Sequence, residues 1–205
     1  MVPLGLPYDV FKKEFDEVKS LNKFSLGDPT LLFVGFLEPA HELGLLLEAF
    51  KRLKWDYPRA HLVIVGVGSE REGLEKIASE IGNVTFTGWL PRKMVVAAYA
   101  STDLLVATSR YEAFGYSLLE AGAAKLPIVA SRVGGMPEVV RDGVDGILVK
   151  PGSVSAFHHA LLNALSDRRR LKRLANSMHN RVKSVFNWEK IADSLIEVYE
   201  KVLTS

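Results

Sequence analysis

Short apolar runs alternate with longer amphipathic stretches along the chain. The runs at residues 30–36, 61–65, 84–87, 104–107, 127–130 and 147–149 have the length and composition of buried strands. Between them, residues 42–53, a segment opening near Ser69, residues 94–100 and residues 116–125 read as helices. Three helical stretches close the chain at residues 154–165, 168–185 and 188–202. A short amphipathic helix is expected over residues 10–23, with Phe11, Phe15 and Val18 on one side. Strands separated by helices of this length imply parallel βαβ units. The expected fold class is therefore α/β, a Rossmann-like doubly wound parallel sheet flanked by helices.

Turn residues divide the chain further. Residues 1–9, rich in Pro and Gly, read as an extended linker, and residues 1–28 as linker plus short helix. Residues 29–186 form the expected α/β domain, and residues 187–205 a C-terminal helix. Ser69 followed by Glu72 has the form of a capping box. Pro91 stands at a helix start, residues 134–138 open a short helix, and residues 142–146 form a turn. Gly35, the Gly66–Gly68 turn, Gly88 and residues 108–115 all follow strands. They are expected on one rim, beyond the carboxyl ends of the strands, where doubly wound sheets hold ligands.

Residues 108–125 concentrate the candidate chemistry. A strand, a polar loop and a helix opening at Gly115 aim free backbone N–H groups at an anion. The helix is apolar nearly all round (Leu118, Leu119, Ala121, Ala123, Ala124), so Glu120 is a carboxylate that needs partners. It lies about five residues in, ~7 Å along the axis, with Tyr116 and Ser117 on the same face. A diphosphate at the helix N-terminus would bring an attached ribose within reach of Glu120. Glu112, in the loop, could accept from hydroxyls on the far side of the diphosphate. The alternative is that Glu120 caps, or pairs with a basic neighbour inside the fold.

Composition excludes more than it selects. The chain has 205 residues, 48% hydrophobic and 24% charged, which are ordinary globular values. A net charge of +2 gives no case for nucleic acid. With no cysteine, disulfides, thiol nucleophiles and cysteine-ligated zinc are ruled out. No leader pattern and no apolar run near eighteen residues is seen, so a cytoplasmic protein is expected.

Other motifs are weaker. The third glycine of a dinucleotide fingerprint starting at Gly66 would fall at Arg71, so a plain strand-to-helix turn is the better reading. His158 and His159 are neighbours and make a poor metal pair. With His179 they read as surface residues, and no metal is expected. His41 lies on the ligand rim, although a solvated loop residue is its simpler reading. The basic run at residues 168–173 reads as a solvated helix face. No G-x-S-x-G elbow is present.

The segment Glu112-Ala-Phe-Gly-Tyr-Ser-Leu-Leu-Glu120-Ala resembles the paired-glutamate signature of retaining glycosyltransferases of the group 1, glycogen-synthase-like type. Residues 134–140, 142–146, 149–152, 31–35, 48–50, 66–68 and 83–88 resemble that family's other segments in order and spacing, and Trp188 and Tyr199 its terminal helix. The resemblance implies the C-terminal half of a GT-B fold, binding a nucleoside-diphosphate sugar as donor without a metal. It implies a hexosyl-type transferase in which the residue matching Glu112 contacts the transferred sugar and that matching Glu120 the donor ribose. Backbone around Phe114, Gly115, Tyr116 and Ser117 would face sugar and diphosphate, Trp89 and Leu90 the base, and the loop at Gly35 the phosphates, with His41 and Gly68 also at the donor site.

Two departures accompany the resemblance. Where the family carries an arginine and a lysine for the leaving diphosphate, alignment puts Phe36 and His41. Protonated His41 could partly replace the lysine; Phe36 cannot replace the arginine. The N-terminal, acceptor-binding domain has no counterpart in these residues. The implied partners are thus a nucleotide sugar and an acceptor-binding domain in cis or trans, with peripheral membrane association through that partner half. The isolated chain is expected to be inactive, and a non-catalytic nucleotide-sugar-binding module is the alternative.

Overall fold

A computed structural model describes residues 3–203; Met1, Val2, Thr204 and Ser205, at the ends of the expected linker and C-terminal helix, lie outside the described residues. The six strands are β1 (Thr30–Val34), β2 (His61–Val65), β3 (Val84–Gly88), β4 (Leu104–Ala107), β5 (Ile128–Ser131) and β6 (Ile147–Val149). They form one sheet in the order β3-β2-β1-β4-β5-β6 with every pairing parallel. The order reverses between β1 and β4, which makes their carboxyl ends the topological switch point of the sheet.

Nine helices flank the sheet among the described residues: α1 (Tyr8–Val18), α2 (Leu43–Asp56), α3 (Arg71–Ile81), α4 (Arg92–Ser101), α5 (Tyr116–Ala123), α6 (Met136–Val139), α7 (Val154–Ser166), α8 (Arg168–Val185) and α9 (Trp188–Leu203). Strand residues alternate between two cores, as a period of two requires. Leu32, Val63, Leu105 and Ile128 join Phe11, Tyr99, Leu119 and Met178 on one face. Leu31, Leu62, Leu104 and Val129 join Leu46, Phe50, Leu74 and Phe157 on the other. Both faces of the sheet are covered, which is why its strands read as continuous apolar runs rather than alternating ones.

Four local expectations are corrected. The first helix spans Tyr8–Val18 rather than residues 10–23. The strand expected to reach Phe36 ends at Val34, and a 3₁₀ turn at Pro39–His41 precedes Glu42, whose left-handed backbone (φ 46°) delays α2 to Leu43. The Ser69 capping box does not form: both the N–H and the hydroxyl of Ser69 donate to the Glu38 carboxylate, at 2.9 and 2.6 Å. A partner from the β1 loop thus displaces the local cap.

His179 is not a surface residue. Its Nδ1 lies 3.2 and 3.0 Å from the carbonyls of Gly122 and Ala123, which can only accept, so Nδ1 carries the proton. Nε2 then accepts from the Tyr8 hydroxyl at 3.1 Å, joining α8, α5 and α1. The end of α5 leaves carbonyls without intrahelical donors, and the imidazole on the packed face of α8 supplies one. His158 is half-buried, with its Nε2 enclosed, whereas His159 is exposed.

α9 has no buried residue, and Leu195, Val198 and Tyr199 are exposed. Its start is clipped to the N-terminal segment, where the Trp188 indole donates to the Gly5 carbonyl at 2.6 Å. No described helix is long and apolar enough to cross a membrane.

Burial, reinforced by Lys125, lowers the pKa of His179 from its ordinary 6.5, and burial with Lys54 does the same to His61. Below about pH 6.5 the unfolded chain therefore binds more protons than the folded one, and stability falls as the pH drops from there toward the folded values. Urea midpoints should decline between pH 7.5 and 5.5, with a shallower slope in His179→Gln. An equal slope in the variant would show that His179 does not titrate with unfolding.

Candidate functional site

Backbone close approach builds the rim. A Cβ on Gly66 (φ 143°) would lie 1.8 Å from the Gly35 carbonyl oxygen, so only glycine lets the β2 turn meet the β1 loop there. Gly134 (φ 48°), after β5, does the same against the Glu112 carbonyl, at 1.9 Å. Gly68 packs against the Leu37 backbone, which makes the Gly66–Gly68 turn a seat for the β1 loop. The dinucleotide reading has no support in that geometry.

Side chains then stitch the β1 loop to the β4 loop across the switch point. The Thr108 hydroxyl donates to the His41 carbonyl at 2.8 Å, and His41 Nδ1 lies 3.0 Å from Ser109 Oγ. Thr108 and Ser109 are buried, so these contacts are shielded from water. The Arg110 amide donates to the Ala40 carbonyl at 2.8 Å, and its guanidinium pairs with Glu42 at 3.1 Å.

At the end of this loop Glu112 Oε1 accepts from the amides of Phe114 and Gly115, at 3.3 and 3.1 Å. Gly115 (φ 86°) turns the chain into α5. A carboxylate thus sits at the positive end of the helix, where an anion is stabilised by roughly 0.3–1 kcal/mol. The first-turn amides of Tyr116 and Ser117 have no intrahelical acceptor and face the same end.

Glu120 is 5% exposed. Its Oε2 accepts from the Tyr99 hydroxyl at 2.9 Å, and its Oε1 from the Arg92 guanidinium. Arg92 also reaches Glu14 of α1 at 3.1 Å and lies over the Phe11 ring. Pairing with a basic neighbour, the alternative raised by the sequence, is therefore present in the fold. Burial, reinforced by the Glu120 charge, holds the Tyr99 phenol well above its ordinary value of 10.0, so it stays a donor. Burial lowers the Arg92 pKa, but Glu120 and Glu14 outweigh it and the net shift is upward.

Gly35, Phe36, Val67, Trp89 and Leu90 line a mostly apolar cleft of about 200 Å³ at the ends of β1 to β3. Phe36 and Trp89 are 67% and 72% exposed. The sequence-derived residues thus fall into three neighbouring groups on one rim: this cleft, the His41–Ser109 seam, and the α5 start with Glu112 and Glu120. Sequence reasoning missed Tyr99, Arg92 and Arg110. Tyr99 carried a faint signal, the one phenol within an apolar helix; Arg92 carried none.

A second depression, about 310 Å³, opens at the opposite rim near Pro29, Tyr57 and Pro127. Its cations Lys125, Arg168 and Lys172 are exposed, and its Asp103 carboxylate accepts from the Thr30 amide at 2.7 Å. Among the described residues no group of three or more His, Cys, Asp or Glu is placed to hold a metal.

Strand order and rim define a Rossmann-like α/β domain. The family model of glycosyl transferases group 1 matches residues 14–184, and the chain belongs to that family. A D-inositol 3-phosphate glycosyltransferase of Geodermatophilus obscurus is 33% identical over 97% of this chain and 46% of its own length. The chain therefore spans about half the length of that relative. A sucrose-phosphate synthase from Thermosynechococcus elongatus superposes with a TM-score of 0.82 at 26% identity, over 99% of this chain and 52% of that one. Anabaena HepE, solved in complex with UDP and glucose, gives a TM-score of 0.82 at 20% identity over 96% and 55%. The fold is the C-terminal half of a GT-B glycosyltransferase.

Gly66→Ala should destabilise the protein by about 2 kcal/mol or more, because a methyl group there displaces the Gly35 carbonyl. Gly73→Ala, on α3 with open space around the new methyl, is the control and should stabilise by about 0.5–1 kcal/mol. Denaturant unfolding of both variants checks the pair.

Proposed function

We propose that this chain is the donor-binding half of a retaining, hexosyl-type glycosyltransferase that uses a nucleoside-diphosphate sugar. The observation that carries the proposal is the α5 entrance. There the Phe114 and Gly115 amides already grip a carboxylate, and a second carboxylate, Glu120, lies buried on the next turn of the same helix. The diphosphate takes the free amides of Tyr116 and Ser117, the ribose hydroxyls bond to Glu120, and Glu112 turns to the sugar. The base enters the cleft between Phe36, Trp89 and Leu90. HepE, a relative in fold, has been solved with UDP, which makes UDP the first probe to try.

The acceptor is bound by an N-terminal half, in the same chain or a separate one. The exposed Leu195, Val198 and Tyr199 of α9 fit a contact with that half. Without it, the chain binds donor and transfers nothing. No metal is assigned a role, because the free amides at the α5 N-terminus are the groups offered to the diphosphate. The setting proposed is the cytoplasm, with any membrane contact made through the partner half.

A second reading rests on Phe36 and His41. Phe36 offers no charge, and the His41 imidazole is engaged by Ser109. That favours a non-catalytic nucleotide-sugar-binding module. Robust transfer by the unmodified chain together with an acceptor half rules it out. Transfer only after Phe36→Arg and His41→Lys supports it.

Calorimetry with UDP, GDP and ADP tests the donor site. One of them should bind, with equal affinity in EDTA, and Glu120→Ala should weaken it by about 10- to 100-fold, the loss of hydrogen bonds to a charged acceptor. Failure of all three at millimolar concentration would sink the proposal.

A further inference from the structure

Glu120 is an acceptor with capacity to spare. A carboxylate offers about four lone-pair positions, two on each oxygen. Tyr99 fills one on Oε2 and Arg92 one on Oε1. One position per oxygen remains, and the pair is spaced for two vicinal hydroxyls. A carboxylate that is 5% exposed could otherwise turn about its last bond and present those positions in any direction. With a donor fixed on each oxygen, the plane of the group is set.

The supports are rigid themselves. Tyr99 is 1% exposed and packs edge-on against Phe11, with ring centroids 6.5 Å apart. Arg92 is held from behind by Glu14 and by the face of Phe11, 5.4 Å from its guanidinium carbon. Neither residue lies in the paired-glutamate stretch; both come from α4, and their own supports from α1. The buried Asp145 shows the contrast. It accepts from Arg141 at 2.6 and 2.8 Å, from the Arg141 amide at 3.2 Å and from Ser177 at 2.7 Å, which leaves it saturated.

Resting on the donor-site reading above, we propose that Tyr99 and Arg92 are positioning residues. They orient Glu120 so that its two remaining acceptor positions select a ribose carrying both its 2′- and 3′-hydroxyls. Arg92 also offsets the Glu120 charge, which would otherwise repel the neighbouring diphosphate. Discrimination between ribo- and deoxyribonucleotides is therefore built by α4 as well as by α5.

The test measures binding of UDP, GDP and ADP against their 2′-deoxy counterparts by calorimetry, in the wild type, Tyr99→Phe and Arg92→Lys. Neither substitution changes formal charge, and the deoxynucleotide reports on the rest of the site. Tyr99→Phe should weaken the ribonucleotide by about tenfold, one hydrogen bond to a charged acceptor, and leave the deoxynucleotide within about twofold. Arg92→Lys should lower the ribo-to-deoxy preference by less, because the charge remains while the planar fork is lost. Equal weakening of both nucleotides would mean a merely structural role and overturns the proposal, as does an unchanged preference in both variants. A wild type that binds neither ribo- nor deoxynucleotide overturns the donor reading itself and this inference with it, whereas one that binds both alike overturns the inference alone. A wild type with a preference that both variants leave intact overturns only the inference.

Discussion

A carboxylate buried inside an apolar helix is the constraint on which the packing around α5 depends. Left alone, Glu120 would cost several kcal/mol in desolvation. The fold meets that cost with a phenol and a guanidinium from one neighbouring helix, and holds the guanidinium with a glutamate and a ring from another. Helices α1, α4 and α5 are thereby tied to a single group. α5 is only eight residues long, and its far end is fixed by His179 on the carbonyls of Gly122 and Ala123. Its near end is fixed by Glu112 on the amides of Phe114 and Gly115. A helix this short would be marginal in isolation, so these terminal contacts and its burial hold it in place.

The same economy governs the rim. Strand order brings the ends of β1 and β4 together, but what makes one surface of their loops is backbone contact without side chains between. Gly66 admits the Gly35 carbonyl, and Gly134 admits that of Glu112. Thr108 and Ser109 then bond to His41 from the buried side. Residues that touch the rim's outer face, Phe36, Trp89 and Tyr116, remain open to solvent. The interior of each loop is committed to structure, and its outer face is left open to solvent.

Much of this could be read from the chain. β2, β4 and β6 begin and end where their apolar runs do, because both faces of the sheet are covered and period-two alternation is suppressed. α8 was equally plain, with Asp167 as a capping acceptor for the Arg170 amide and buried positions at Leu171, Leu174, Ala175, Met178 and Val182. The rim itself followed from glycines placed after strands. What could not be read were pairs between elements distant in sequence. Ser69 prefers Glu38 to its own helix, His179 prefers the end of α5 to water, and Glu120 meets Arg92 and Tyr99. Periodicity reports which side of a helix is buried, but not which polar group waits there.

Under the proposed function, recognition and transfer make different demands on this rim. Recognition needs shaped acceptors and amides, and the structure supplies them in Glu120 and the α5 entrance. Departure of a diphosphate leaving group needs positive charge, since each such electrostatic contact is worth ~10²–10³ in rate. The helix dipole contributes about half an elementary charge at its N-terminus, less than the arginine and lysine that the family resemblance assigns to Phe36 and His41. Under the proposed function, sources of the remaining charge include His41, Arg110 once it leaves Glu42, and a facing half. The proposed function thus separates two demands: the donor grip it assigns to this chain, and a push on the leaving group that it leaves to a facing half.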